Sequence, residues 1–170
     1  MASGDTSLGH AASGDTSLGH PASGDTSLGH AASGDPAPPA ARLQLIRAGE
    51  LSSATAQTSG MIRAAAISGD LVGAQSLWMG RTVLPAGVSS GDHHHGESET
   101  GIFVVSGSPV FVYRDPASGK LVRLLPEPGD YVWVPPHVAH REENLSPDVA
   151  AVVVIARSTQ EAIVVNVSGL

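Results

Sequence analysis

Beyond residue 41, short runs of β-forming residues alternate with glycine- and proline-rich turns. The predicted strands span residues 61–67, 75–84, 102–105, 109–113, 120–125, 131–134, 149–156 and 162–167, and a further short strand with a turn is expected at residues 42–51. No ten-residue stretch combines helical periodicity with capping residues. Many short strands separated by such turns are typical of a sandwich or barrel, so the sequence predicts an all-β domain.

The first 41 residues have a different character. The sequence ASGDTSLGH begins at Ala2, Ala12 and Ala22 with a strict ten-residue period, and leucine is its only large apolar residue. Ordering a residue costs about 1–2 kcal/mol of backbone entropy, which one leucine in ten residues does not offset. We therefore predict a disordered low-complexity decapeptide-repeat tail at residues 1–41 and a single folded domain at residues 42–170. The repeat histidines could bind metal loosely, or the repeat could be an expansion tolerated because it is unstructured.

Composition excludes several classes of function. The chain has no cysteine, so neither a disulfide framework nor a thiolate metal site is possible. Its formal net charge is −7 and it has no basic run, so nucleic acid is not an expected partner. Its apolar runs are too short to cross a bilayer. The amino terminus lacks the basic and apolar regions of a secretory signal, which leads us to expect a cytoplasmic protein that does not contact membranes.

Two histidine-bearing segments point to a metal site. The first, at residues 87–107, reads GVSSGDHHHGESETGIFVVSG, and the second, at residues 129–144, reads GDYVWVPPHVAHREEN. On a strand, His93 and His95 point to the same side, about 6–7 Å apart, whereas His94 points to the opposite side and is expected at the surface. His140 on a partner strand could supply a third nitrogen. Imidazole suits Zn, Cu, Fe and Ni, so the pattern predicts a transition-metal site within a β-structure.

The spacing of these segments resembles the cupin family. The first cupin motif is a glycine, five residues, His-x-His, three or four residues, a glutamate, six residues and a glycine, and it is matched by Gly87, His93, His95, Glu99 and Gly107. The second motif is matched by Gly129, Pro135, His140 and Asn144, with His137 where the pattern has glycine. The resemblance covers residues 42–170 and implies a small single-domain cupin with a double-stranded β-helix, or jelly-roll barrel. It also implies that His93, His95, Glu99 and His140 bind one divalent transition metal ion, which could be Fe, Mn, Ni, Cu, Co or Zn.

The glutamate of the first motif departs from the pattern. Counted back from Gly107, the usual position is occupied by Thr100, and Glu99 lies one residue early. A shift of one residue turns a side chain to the other face of a strand unless a bulge corrects it, which Gly101 could permit. If Glu99 does not reach the ion, the ligands are three histidines with water, or Glu97 takes its place.

The resemblance restricts the function without fixing it. Cupins include dioxygenases, isomerases, decarboxylases and non-catalytic binding modules, so the fold alone does not identify one activity. We expect a metal-binding cupin that acts on or binds a small organic molecule, with dioxygenase or isomerase activity as one possibility and a non-catalytic ligand- or metal-binding module as the alternative. Arg81 and Arg141 could grip an anionic ligand or could be solvated strand charges. Asn144 is expected to be a structural turn residue. Cupins commonly cover exposed strand edges by pairing, so we also expect a homodimer.

Overall fold

The computed structural model describes residues 42–159 and 161–170. The predicted repeat tail at residues 1–41 lies outside the described residues. The described residues contain ten strands: β1 (Ile62–Ile67), β2 (Trp78–Leu84), β3 (His93–His94), β4 (Thr100–Ser106), β5 (Pro109–Arg114), β6 (Leu121–Leu124), β7 (Tyr131–Val134), β8 (His140–Asn144), β9 (Ala151–Arg157) and β10 (Val165–Asn166). Helical structure in this part of the chain amounts to one 3-10 turn, Ala48–Glu50, and one short helix, α1 (Gly69–Val72). The all-β prediction is therefore confirmed.

The strands form two antiparallel five-stranded sheets. One sheet has the order β1-β2-β9-β4-β7, and the other has the order β10-β3-β8-β5-β6. The predicted strand at residues 42–51 is wrong, because that segment contains the 3-10 turn and no strand. Within the first sheet, the strands β7, β4, β9 and β2 lie side by side in that order. The second sheet carries β3 and β8, which hold two of the predicted ligands.

Regular alternation along the strands of the first sheet builds the core. In β9, every second residue is buried, as expected for a strand with one face turned inward. Val104, Ile102 and Ile155 are at most 1% exposed, and Trp78 at the end of β2 is equally enclosed. These side chains belong to the main hydrophobic cluster, which contains residues of both sheets.

A glycine turn joins the two sheets between β4 and β5. Gly107 has a φ of 78°, a left-handed conformation that side-chain-bearing residues rarely adopt. A Cβ added there would lie 2.6 Å from the Cα of Ala151, so the space is also closed to a side chain. Both requirements explain why the first motif ends in glycine at this position.

Asn144 ties three separate segments together at the end of β8. Its side chain is 1% exposed, and its Nδ2 donates to the carbonyl oxygens of Leu84, Pro85 and Val149 at 2.8–3.1 Å. Its Oδ1 accepts from the backbone N–H of Ser146 at 3.2 Å. These contacts make Asn144 a structural residue. They fix the turns next to β8 and thereby the position of β8, the strand that carries His140.

Candidate metal centre

Three predicted ligands meet inside the barrel. His93 on β3 lies opposite His140 on β8 in the strand register, and His95 follows β3 directly. The three ring centroids are 4.6–5.2 Å apart, and one ring nitrogen from each residue lies within 4.8 Å of the others. All three side chains are buried, with residue exposures of 0–3%. The strand alternation that predicted this convergence therefore describes the geometry correctly.

The Nδ1 atom of each ring has a hydrogen-bond partner within the protein. The Nδ1 of His93 lies 3.0 Å from the carbonyl oxygen of Gly91, and that of His140 lies 2.9 Å from the carbonyl oxygen of Val138. A carbonyl only accepts, so each neutral ring must carry its proton on Nδ1 and its lone pair on Nε2. The Nδ1 of His95 lies 2.8 Å from the Oγ1 of Thr100. Contacts of this kind fix ring orientation and tautomer in metal-binding histidines.

The Nε2 atoms of the three histidines have no hydrogen-bond partner, although they are fully buried. Leaving a buried polar atom unpaired costs about 1–3 kcal/mol, so three such atoms in one place require an explanation. Metal–imidazole bonds of about 2.1 Å place opposite nitrogens about 4.2 Å apart, so shifts of under about 1 Å would let one ion satisfy all three. Among the described residues, this is the one group of three or more histidine, aspartate or glutamate side chains with such spacing.

Burial and a nearby carboxylate set the charge of the rings. Burial lowers the pKa of His93 and of His95, so both rings are neutral at pH 7. Burial also opposes protonation of His140, but the Glu142 carboxylate outweighs it and raises the pKa of His140. A site with two neutral imidazoles beside an anion favours a bound cation, since a metal needs deprotonated nitrogen ligands.

Glu142 lies in this site, although the sequence analysis did not select it. The residue is 3% exposed; its Oε1 lies 3.7 Å from the Nε2 of His140 and its Oε2 lies 3.9 Å from the Nε2 of His93. Burial alone would raise the pKa of Glu142, yet the interaction with His140 outweighs burial and holds that pKa below its ordinary value. The signal was present in the sequence, because Glu142 is two residues after His140 and therefore shares its face of the strand.

The structure differs from the prediction for Glu99, whose side chain is exposed. The inward position is taken by Thr100, which is 0% exposed and contacts His95. The register of β4 runs without interruption from Thr100 to Phe103 against β7 and to Val104 against β9, so no bulge at Gly101 returns Glu99 to the inner face. Thr100 therefore positions a ring where the motif has a carboxylate.

The other carboxylate offered by the sequence also lies outside the group. The Glu97 side chain is 86% exposed, and its Oε1 lies 3.0 Å from the Nε2 of His137. His137 occupies the glycine position of the motif with a φ of 60°, a conformation that costs energy for a residue with a side chain. The ring of His94 lies 5.6 Å from that of His137, and neither ring belongs to the buried group of three histidines.

The arginines of the site differ from those expected. Arg141 is paired with Glu143 at 2.8 Å and with Asp92 at 3.4 Å, and Arg81 is exposed on β2. Two other arginines, Arg63 and Arg157, are each 1% exposed inside the barrel. Their charges act on the histidines: Arg157 helps to lower the pKa of His95, and Arg63 contributes to the same effect at His93.

Arg157 is held in place by two contacts. Its Nη1 donates to the carbonyl oxygen of Ile163 at 2.8 Å, and its guanidinium carbon lies 5.5 Å from the centroid of the Trp78 ring. Its Nε and Nη2 atoms have no hydrogen-bond partner, and burial lowers its pKa to about 9. A cation in this position opposes the binding of a second cation nearby, so a metal ion at the histidines needs a compensating anion.

A cavity of about 590 Å³ reaches the histidine site at His140. Its apolar walls include Phe111, Leu124, Val132, Trp133, Val134 and Val138. Tyr113, Arg114 and His137 are the polar side chains that share this space with His140. Small-molecule sites commonly occupy 300–1,000 Å³ and combine apolar walls with a few polar groups, which is the composition found here.

Comparison with known proteins agrees with this architecture. Residues 80–156 match the family model of the cupin domain. No curated protein sequence matches the chain. Among solved structures, the polyketide cyclase RemF from Streptomyces resistomycificus has a TM-score of 0.59 and is 17% identical over 76% of this chain and 88% of that one.

Two further similar structures are larger proteins. Oxalate oxidase in complex with glycolate has a TM-score of 0.57 and is 16% identical over 68% of this chain and 59% of its own. Oxalate decarboxylase from Bacillus subtilis has a TM-score of 0.57 and is 15% identical over 65% of this chain and 28% of its own. At such identities the likeness concerns the fold alone.

The family match agrees with the fold, in which two antiparallel sheets enclose three inward histidines. Residues 80–156 thus form a cupin domain. Of the helices in the described residues, none has the length and apolar character needed to cross a membrane.

Proposed function

We propose that this cupin binds one divalent transition metal ion through His93, His95 and His140 and uses it to bind or transform a small organic molecule. The observation that supports this proposal most is the set of three buried Nε2 atoms that have no partner and face one another. A single cation would satisfy all three, whereas each left alone costs about 1–3 kcal/mol.

The protein's own groups prepare this site before an ion arrives. Backbone carbonyls and Thr100 hold the rings with their Nε2 atoms turned inward. When bound, an ion of this class supplies Lewis-acid or redox chemistry and leaves coordination positions that protein does not fill. His140 belongs to the cluster and also lines the cavity, so a molecule bound in the cavity would contact a residue of the site.

The apolar walls favour a substrate with substantial hydrocarbon or aromatic character. Dioxygenase or isomerase chemistry fits a metal with open positions beside such a cavity. The alternative is a non-catalytic module that sequesters a ligand or the metal. Oxygen uptake by iron-loaded protein across a panel of catechols, diketones and thiols detects a dioxygenase, and conversion of the added compound without oxygen uptake detects an isomerase. Turnover supports the enzyme, and tight ligand binding without turnover supports the module.

Metal content tests the centre itself. Purified protein is loaded with each candidate ion, desalted and analysed for its elements, beside a His93→Ala/His140→Ala variant. His94→Ala is the matched control, because its ring lies outside the buried group. We expect about one equivalent in the wild type and in the control and less than a tenth of that in the double variant, since two of three nitrogen ligands are gone. Failure of every ion to bind the wild type would refute the proposal.

We also propose that the chain forms a homodimer. Tyr131 and Trp133 on the edge strand β7 are 79% and 64% exposed, and Phe103 stacks on Tyr131 with ring centroids 4.9 Å apart. Exposed aromatic surface at a sheet edge is the kind of surface that a second copy covers. A monomeric mass by light scattering at working concentration would refute the proposal.

A further inference from the structure

The structure assigns a carboxylate ligand to this centre at a position outside the first motif: we propose that Glu142, rather than Glu99, coordinates the metal. This inference rests on the proposed metal site. Of the acids near the histidines, Glu97 and Glu99 are exposed and Glu142 is buried. The carboxylate therefore comes from β8, the strand that also carries His140.

Each oxygen of the Glu142 carboxylate lies close to one of two rings. The Glu142 oxygens lie 3.7 Å from the Nε2 of His140 and 3.9 Å from the Nε2 of His93. Metal bonds to imidazole nitrogen and to carboxylate oxygen are about 2.0–2.2 Å long, so atoms that share an ion lie up to about 4.2 Å apart. Both separations fall within that limit, and both exceed the range of a good hydrogen bond.

Ser90 holds Glu142 in this orientation. Its Oγ donates to Oε2 at 3.0 Å and accepts from the backbone N–H of Glu142 at 2.9 Å. The backbone N–H of Ser90 also donates to the carbonyl oxygen of Glu142 at 2.8 Å. A carboxylate supported in this way has few other conformations, as is common for metal ligands with a hydrogen-bonded outer shell.

Charge balance gives an independent reason. Arg63 and Arg157 are buried cations that act on the imidazoles, and Glu142 is the buried anion that acts on them. A divalent ion would add two positive charges to this enclosed space, where uncompensated charge is costly. Direct ligation by Glu142 places the compensating charge at the shortest distance.

Glu142→Gln tests this assignment, and Glu99→Gln is the matched control at the motif's own position. Affinity for Mn²⁺, Co²⁺ and Zn²⁺ is measured by chelator competition, and the absorption spectrum of the Co²⁺-loaded protein reports on the ligand set. We expect Glu142→Gln to weaken binding by about tenfold or more and to change the Co²⁺ spectrum, because loss of a supporting residue alone costs about 10–100-fold. Glu99→Gln should bind like the wild type.

The possible results distinguish the ligand role of Glu142 from the existence of the metal site. Wild-type protein that binds no ion refutes the metal site itself. Binding by Glu142→Gln within about twofold of the wild type, with an unchanged Co²⁺ spectrum, refutes the ligand role of Glu142 alone. If Glu142→Gln does not fold, Cu²⁺-loaded Glu99→Gln protein labelled with ¹³C at its glutamate carboxylates decides. A ¹³C hyperfine coupling to the copper supports ligation, and its absence overturns it.

Discussion

Replacing Asn144 with alanine should lower the free energy of unfolding by about 3 kcal/mol. The two Nδ2 hydrogens are donated to the carbonyl oxygens of Leu84, Pro85 and Val149, and Oδ1 accepts from the N–H of Ser146. The side chain therefore makes the equivalent of three full hydrogen bonds, each with a net value of about 1 kcal/mol. Urea unfolding followed by tryptophan fluorescence measures the loss, with an unchanged dependence on denaturant concentration indicating that unfolding remains two-state.

Asn144→Asp is the sharper control because it preserves shape. At pH 7 the introduced carboxylate would face three carbonyl oxygens with no hydrogen to donate, so this variant should be less stable than Asn144→Ala. Burial raises the folded-state pKa of that carboxyl above its unfolded value of about 3.9, so the difference from the wild type should shrink as the pH falls and the group is protonated. A loss below about 1 kcal/mol for Asn144→Ala, or wild-type stability for Asn144→Asp at pH 7, would refute this reasoning.

Two further predictions concern the surroundings of the site. His137→Gly removes a side chain at a φ of 60°, and the exposed pair with Glu97 that it breaks is worth little. The variant should be as stable to heat as the wild type or slightly more stable. Relief of roughly 1–2 kcal/mol of strain is offset by about 0.4–1 kcal/mol of added entropy in the unfolded state. A loss of stability above about 1 kcal/mol would contradict this expectation. Metal-free protein should lose stability as the pH falls below 6.5, because the pKa values of His93 and His95 are lowered in the folded state and the unfolded chain binds those protons first. Each ring contributes up to about 1.4 kcal/mol per pH unit, while the raised pKa of His140 acts in the opposite direction. Urea midpoints at pH 7.5 and 5.5 in chelator measure the balance, and equal midpoints would contradict it.

The convergence of the three histidines could be predicted from the sequence because strand geometry is periodic. Alternation placed His93 and His95 on one side of the chain, and motif spacing placed His140 on a neighbouring strand. The same rule indicated that Glu99 would face outward unless a bulge intervened. Only the register of β4 decides that question, and register depends on pairing with two other strands.

The buried charges of the site were not predicted. Glu142 lies within the charged run REEN, which is typical of a solvated strand end, although its spacing from His140 indicated the inner face. Arg63 and Arg157 belong to strands at different positions in the first sheet, and their burial depends on the two sheets closing over them. Local patterns carry no information about that closure, since long-range packing determines which strand ends are covered.

The Nδ1 contacts of the three rings differ in their origin, and this difference bears on how the site would release an ion. His93 and His140 are each held by a carbonyl two residues earlier in their own segment, whereas His95 depends on Thr100 at the start of β4. Local fraying at that end of β4 would free one ring and leave the other two anchored. The rate at which the site exchanges its ion would then follow the opening of a single strand end rather than global unfolding.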